Sequence, residues 1–362
     1  MIVDLIAGAR PNFMKIAPII DAIKKKQDSG VSIHYRLIHT GQHYDKNMSA
    51  TFFEQLSIPT PDMNLGAGGG SQAEQTAAIM IGYEEVLNSR KPDLCVVVGD
   101  VNSTMACAIT AKKMHVPVAH VEAGIRSGDI TMPEEINRMV TDSITDLFFT
   151  TSRLAGENLI KCGITPDQIF FVGNTMIDTL LKQRPRFKKP PVWSHSNLSE
   201  KNYLVMTLHR PGNVDEENAL KSLMQAIIKS TRDLPLIFPV HPRTAKKIAH
   251  LGFDHPRVHQ VPPLPYLEFN YLVEHSKAVI TDSGGITEEA TVMGIPCMTL
   301  RDSTERPETV TIGTNMLLGT NPDAIQPAMD RLFENRWQNG SIPEKWDGKA
   351  AERIVDILCD VL

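Results

Sequence analysis

Residues 278–290 read AVITDSGGITEEA, and this stretch decides the fold class. A β-branched apolar run ends in Asp282-Ser283-Gly284-Gly285, and helix-compatible residues follow at once. A short apolar strand entering a helix through a glycine turn is half of a βαβ unit. Two adjacent glycines let a ligand approach the backbone, and Ser283 stands where it can donate or accept at the helix start. The bland alternative is a tight strand-to-helix junction.

The same rhythm extends in both directions. Short strands are predicted near residues 203–207, 235–240, 257–260 and 296–299 in this half of the chain. In the other half they are predicted near 2–7, 31–39, 94–98, 116–121, 146–150 and 169–172, with amphipathic stretches between them. Strands alternating with helices give parallel sheets. The rhythm breaks at 184–201, RPRFKKPPVWSHSNLSEK, which reads as an interdomain connection. The expected architecture is α/β with two Rossmann-like domains facing across a cleft. Their boundaries are 1–173 and 174–347, with the terminal helix 348–362 packing back on the first domain. Ala351, Ile354, Val355 and Leu358 supply that helix with its apolar face.

Composition narrows the function classes. A chain of 362 residues exceeds what a single core usually serves. Its 42% hydrophobic and 22% charged residues are ordinary for a globular protein. A net charge of -5 repels polyanions, so nucleic acid is not an expected partner, and any anion must be held by locally placed cations. No apolar run approaches the roughly 18 residues that span a bilayer. Five cysteines with no Cys-x-x-Cys pair suit a reducing cytoplasm and offer no zinc site.

Ligands of open parallel sheets bind outside the carboxyl ends of strands, so the residues just after each strand carry the functional reading. After the first strand comes GARPNFMK, residues 8–15, where Arg10 and Lys15 join free backbone N–H groups near a helix start expected at about Asn12. That suits a phosphate; the alternative is that Arg10 merely lies on the surface. Glu289 on the helix after Gly285 is placed to take ribose hydroxyls or to be a solvated helix charge. Asp100 after VVVG and Glu122 after VAHV end adjacent strands, and Glu134-Glu135 stand in MPEEINR. Carboxylates on one rim of a sheet can serve as acid and base. Capping of the next helix would also account for Asp100, but not for Glu122, which is followed by Ala123-Gly124. His209 in MTLHRP and His241 in PVHPRT are the purposeful histidines. No His/Cys cluster calls for a metal.

Together these motifs resemble the non-hydrolysing UDP-N-acetylglucosamine 2-epimerases, a branch of the glycosyltransferase-B-like fold. HTGQHYD at 39–45, VVVGDVNST at 96–104, HVEAGIRSGDITMPEEINR at 120–138, HPR at 241–243, TDSGGITEEA at 281–290 and RDSTERPE at 301–308 carry the likeness over nearly the whole chain. The resemblance implies Asp100, Glu122 and Glu134 as acid/base carboxylates and His209 as catalytic histidine. It implies Arg10, Lys15, Ser283, Gly284, Gly285 and Glu289 as nucleotide and diphosphate contacts, with Phe269 and Arg306 at the uridine end or its phosphates. Gln42, His43, His241 and Arg243 are supporting or second-site candidates. The segment Gly66–Gly70 is glycine-rich where an activating site would have an arginine, and Val101 replaces a usual threonine. The implied protein is a cytoplasmic homodimeric isomerase that needs no cofactor. It would convert UDP-N-acetylglucosamine to UDP-N-acetylmannosamine for surface polysaccharide precursors. HTGQHYDKNMS and FFEQL also resemble the branch acting on a 2,3-diacetamido uronic acid sugar, and a hydrolysing epimerase would share the fold; TERPE at 304–308 leans toward the simple N-acetylglucosamine enzyme.

Overall fold

The computed structural model describes residues 1–41, 53–240, 242–251 and 255–361. The chain divides into two compact units: Met1–Lys182 with Glu344–Leu362, and Gln183–Pro343. The boundary falls after Lys182 rather than after 173, because the helix Thr175–Gln183 packs almost entirely with the first unit.

The first unit holds a seven-stranded sheet of β1 (Ile2–Ala7), β2 (His34–His39), β3 (Met63–Asn64), β4 (Leu94–Val98), β5 (Val118–Val121), β6 (Leu147–Thr150) and β7 (Ile169–Phe171). Their order is β3-β2-β1-β4-β5-β6-β7, and every pairing is parallel. Central strands of such a sheet have helices on both faces and so lack alternation: all five residues of β4 and all four of β5 are buried. One polar residue, Asp4, sits in the middle of β1 with no exposure. Arg36 clasps its carboxylate through Nε at 2.7 Å and Nη2 at 2.9 Å, and the Tyr83 hydroxyl donates at 3.0 Å. Without those donors a buried carboxylate would cost several kcal/mol.

The second unit repeats the plan with β8 (Leu204–Thr207), β9 (Leu236–Pro239), β10 (Val258–Val261), β11 (Ala278–Thr281), β12 (Cys297–Thr299) and β13 (Asn315–Leu317). Its order is β10-β9-β8-β11-β12-β13, again all parallel. The edge strands β3 and β13 were not among the expected strands, since two and three residues give no readable alternation.

The segment 184–201 is built into the second unit. Arg184 bonds Glu274 at 2.6 Å, and Trp193 packs edge-on against Tyr203, Tyr271 and His275. Proline and lysine signal the absence of a long helix, not the absence of packing. The last helix, Ala350–Val361, lies with the first unit against the helix Arg10–Asp28. It buries Ala351, Ile354, Val355 and Leu358, and each of the larger three contributes about 1.5–3 kcal/mol. Asp178 reaches its free N-terminus and accepts from the N–H groups of Ala350 at 3.2 Å and Ala351 at 2.7 Å.

Candidate functional site

Both sheets reverse their strand order once near the middle, between β1 and β4 and between β8 and β11. At such a switch point neighbouring strands send their loops to opposite faces, which leaves a crevice at the carboxyl ends. The candidate residues gather at these two points.

In the first unit, β1 runs through Gly8 into the helix Arg10–Asp28. The helix starts two residues before Asn12, whose Oδ1 accepts from the N–H groups of Gly8 at 3.2 Å and Ala9 at 2.9 Å and whose amide donates to the Val98 carbonyl. Gly8 is demanded by space, because a β-carbon there would lie 1.8 Å from the Ser103 hydroxyl. Arg10 is exposed at the helix start, while Lys15 is buried. Lys15 Nζ meets Glu122 Oε2 at 2.7 Å with less than a tenth of either side chain exposed. The residue expected to hold phosphate thus touches a residue expected to move a proton. Glu122 carries φ +76°, a left-handed conformation that costs a side-chain-bearing residue about 1–3 kcal/mol and collects at functional positions. Gly99, at φ +68°, lets Lys15 pass: a β-carbon there would be 2.9 Å from Nζ.

Asp100 follows Gly99 and does not cap the next helix; Val101 is the N-cap of Asn102–Lys113. The Asp100 carboxylate instead takes the Arg138 guanidinium at 2.5 Å, and its carbonyl takes the Asn137 amide at 2.9 Å. Arg138 also pairs at 2.7 Å with Glu135, which further accepts from the N–H and hydroxyl of Ser127 and the N–H of Gly128. Burial would raise the Glu135 carboxyl, but those donors outweigh it and hold it below its ordinary range. Glu134, the neighbour singled out from the sequence, is half-buried.

In the second unit, His209 follows β8 and Asp282 follows β11. Nδ1 of His209 lies 2.7 Å from Oδ1 of Asp282, which has no exposure, while the imidazole is more than half exposed. Asp282 also accepts from the backbone N–H groups of His209 and Arg210 and from the Asn213 amide. Burial would raise its pKa, but the His209 hydrogen bond and charge with the other donors hold it low. Asp282 therefore faces inward as the support of His209, while Ser283, Gly284 and Gly285 remain half-buried at the start of the helix Gly284–Met293. That helix end presents backbone N–H groups and partial positive charge suited to an anion.

Glu289 is not a solvated helix charge: it is 4% exposed and accepts the Tyr266 hydroxyl at 2.7 Å. Arg306 is buried in an ion pair with Glu288, and Arg301 pairs with Glu305 at 2.7 Å. Phe269 is half-buried on the helix Tyr266–His275, three positions after Tyr266. Gln42, His43, His241 and the Arg243 side chain lie outside the described residues. Sequence reasoning missed Arg138, Asn137, Asn213 and Tyr266 as partners, and it gave Asp282 no role in holding His209. Arg138 and Asn137 had a signal in the run Glu-Glu-Ile-Asn-Arg, whose spacing puts carboxylates and guanidinium on one helix face. Among the described residues no group of three or more His, Cys, Asp or Glu gathers to hold a metal ion, and no helix is long and apolar enough to cross a membrane.

The profile of the family described as UDP-N-acetylglucosamine 2-epimerase matches residues 24–359. The UDP-N-acetylglucosamine 2-epimerase of Methanocaldococcus jannaschii is 40% identical over 99% of both chains. Its crystal structure in complex with UDP-GlcNAc and UDP, covering 99% of each chain, superposes with a TM-score of 0.87. The UDP-GlcNAc 2-epimerase of Neisseria meningitidis, bound to UDP-GlcNAc, is 29% identical, covers 99% of this chain and 100% of its own, and superposes with a TM-score of 0.89. The UDP-2,3-diacetamido-2,3-dideoxy-D-glucuronate 2-epimerase of Pseudomonas aeruginosa is 39% identical over 98% of both.

Proposed function

Because the chain belongs to the UDP-N-acetylglucosamine 2-epimerase family, we propose that it interconverts UDP-N-acetylglucosamine and UDP-N-acetylmannosamine without net hydrolysis. A base removes the proton at sugar carbon 2. The C2–H electron pair forms the C1–C2 double bond, and the C1–O bond breaks with its electrons leaving on the UDP β-phosphate oxygen. UDP then adds back at carbon 1 as a proton is delivered to the opposite face of carbon 2. Asp100, Glu122, Glu134 and His209 are the proposed acid/base groups, each worth about 10²–10⁴-fold in rate when positioned. Arg10, Lys15, Ser283, Gly284 and Gly285 hold the diphosphate, and Phe269, Glu289 and Arg306 serve the nucleoside end.

The observation that carries the reading is the set of ion pairs at the carboxyl ends of β4 and β5, Asp100–Arg138 and Glu122–Lys15. A departing diphosphate needs cations beside the groups that move the proton, and these pairs supply both. The reading includes a cytoplasmic homodimer that supplies surface polysaccharide precursors; five free cysteines suit a reducing compartment.

The deciding experiment incubates the protein with UDP-N-acetylglucosamine in deuterium oxide and follows proton and phosphorus NMR. Deuterium at carbon 2 with the manno epimer and no accumulating UDP is expected. Steady release of UDP would replace the reading by a hydrolysing epimerase. The 39% identity to the diacetamido-glucuronate enzyme favours a second reading, which exchange on that uronate alone would establish.

A further inference from the structure

His120 is the third residue of the four-residue strand β5, has no exposure, and belongs to no role assigned above. One ring nitrogen lies 2.8 Å from Asp142 Oδ1 and the other 2.8 Å from the carbonyl oxygen of Gly99. A carbonyl oxygen only accepts, so the nitrogen facing it carries a hydrogen. An ionised carboxylate also only accepts, so the second nitrogen carries one too. Turning the ring over would put Cδ2 and Cε1 in place of Nδ1 and Nε2 and lose both hydrogen bonds, so the ring orientation is set by these two oxygens.

The alternative places the second proton on Asp142. Its other oxygen, however, receives the Arg126 guanidinium at 2.6 Å and the Gly124 N–H at 3.2 Å. Burial would raise the Asp142 carboxyl, yet the His120 and Arg126 interactions hold it below its ordinary range. These partners stabilise the anion.

The acceptor on the other side adjoins the proposed chemistry. Gly99 is held to β5 twice, through its N–H to the Val121 carbonyl at 3.0 Å and through its carbonyl to His120. The next residue is Asp100. Its own carbonyl is held by Asn137 and its carboxylate by Arg138.

We propose that His120 is a positioning residue, a ring that donates from both nitrogens and is clamped by Asp142, whose hydrogen bond to the Gly99 carbonyl sets where the Asp100 carboxylate stands. The inference about the rate rests on the functional reading above; the inference about the ring does not.

The ring is tested first, on the full-length protein labelled with ¹⁵N-histidine, with the His120 signals assigned by their loss in His120→Asn. At neutral pH both ring nitrogens are expected to bear hydrogen, and Asp142→Asn is expected to remove one of the two. A bare ring nitrogen in the wild type overturns the proposal, whatever the protein's substrate. Turnover tests the second half. In His120→Asn the amide nitrogen replaces the Asp142-facing donor and loses Gly99; in His120→Gln it replaces the Gly99-facing donor. Misplacing a reacting group by about 1 Å costs about 10²-fold. His120→Asn should therefore lose about that much in kcat with KM changed only a few-fold, and His120→Gln should recover most of it. Equal kcat in the two variants overturns the positioning role. If His120→Asn does not fold, His120→Gln against wild type decides, a loss as large as 10²-fold counting against it. A wild type that fails to epimerise would defeat the functional reading and leave the NMR result standing.

Discussion

The imidazole of His209 and the carboxylate of Asp282 join the ends of β8 and β11 by a 2.7 Å contact in which one partner is wholly buried and the other mostly exposed. The buried partner fixes one ring nitrogen and leaves the other face of the imidazole accessible. This is how a histidine is oriented to exchange protons.

Asp282→Ala should destabilise the protein by about 2–3 kcal/mol, because it strips an ionised acceptor from the N–H groups of His209 and Arg210. Asp282 is held below its ordinary value of 3.8. Its contribution is therefore present above that pH and fades as pH falls through the lower folded value. Urea titrations should show the gap between wild type and variant constant from about pH 7 to 5 and shrinking below about pH 4. A gap that widens in acid would contradict the assignment.

Lys15→Met takes the ammonium away from the buried Glu122 carboxylate, a change that costs about 3–5 kcal/mol. Adding Glu122→Gln should return much of that loss, since a neutral amide no longer needs the ammonium. The double-mutant cycle measures the coupling. Additive losses would mean that the pair is not formed in solution.

Asp178 gives the opposite pH behaviour. Burial pushes its carboxyl up from 3.8 to about 6, against the two helix N–H groups that pull it down. The folded state then binds the proton more tightly than the unfolded chain. This contribution is complete below about pH 4 and is lost as pH rises to about 6, a change of about 3 kcal/mol at about 1.4 kcal/mol per unit. The stability of Asp178→Asn relative to wild type should therefore rise between pH 4 and 6 and level off above. Parallel pH profiles would exclude it.

Gly8→Ala should be destabilising by about 1–3 kcal/mol as an overpacking change, since its methyl would enter the Ser103 and Thr40 hydroxyls. It should also weaken UDP binding measured by calorimetry, because Gly8 leads directly to Arg10. Unchanged affinity with lowered stability would detach this turn from the ligand.

The sequence by itself determined the fold class and most of the strands, because buried parallel strands leave continuous β-branched runs and glycine turns that need no partner to be read. It also marked Asp100, Glu122 and His209, since polar residues at the ends of such runs stand out. What only the tertiary structure decided is pairing. That Lys15 serves Glu122, that Arg138 holds Asp100 while Glu135 rather than Glu134 takes its other nitrogen, and that Asp282 turns inward to His209 all depend on distances between segments far apart in sequence. Local periodicity sets which face a side chain leaves from. Which charge it meets is set by the strand order of the sheet, and that order is fixed by the packing of the whole unit.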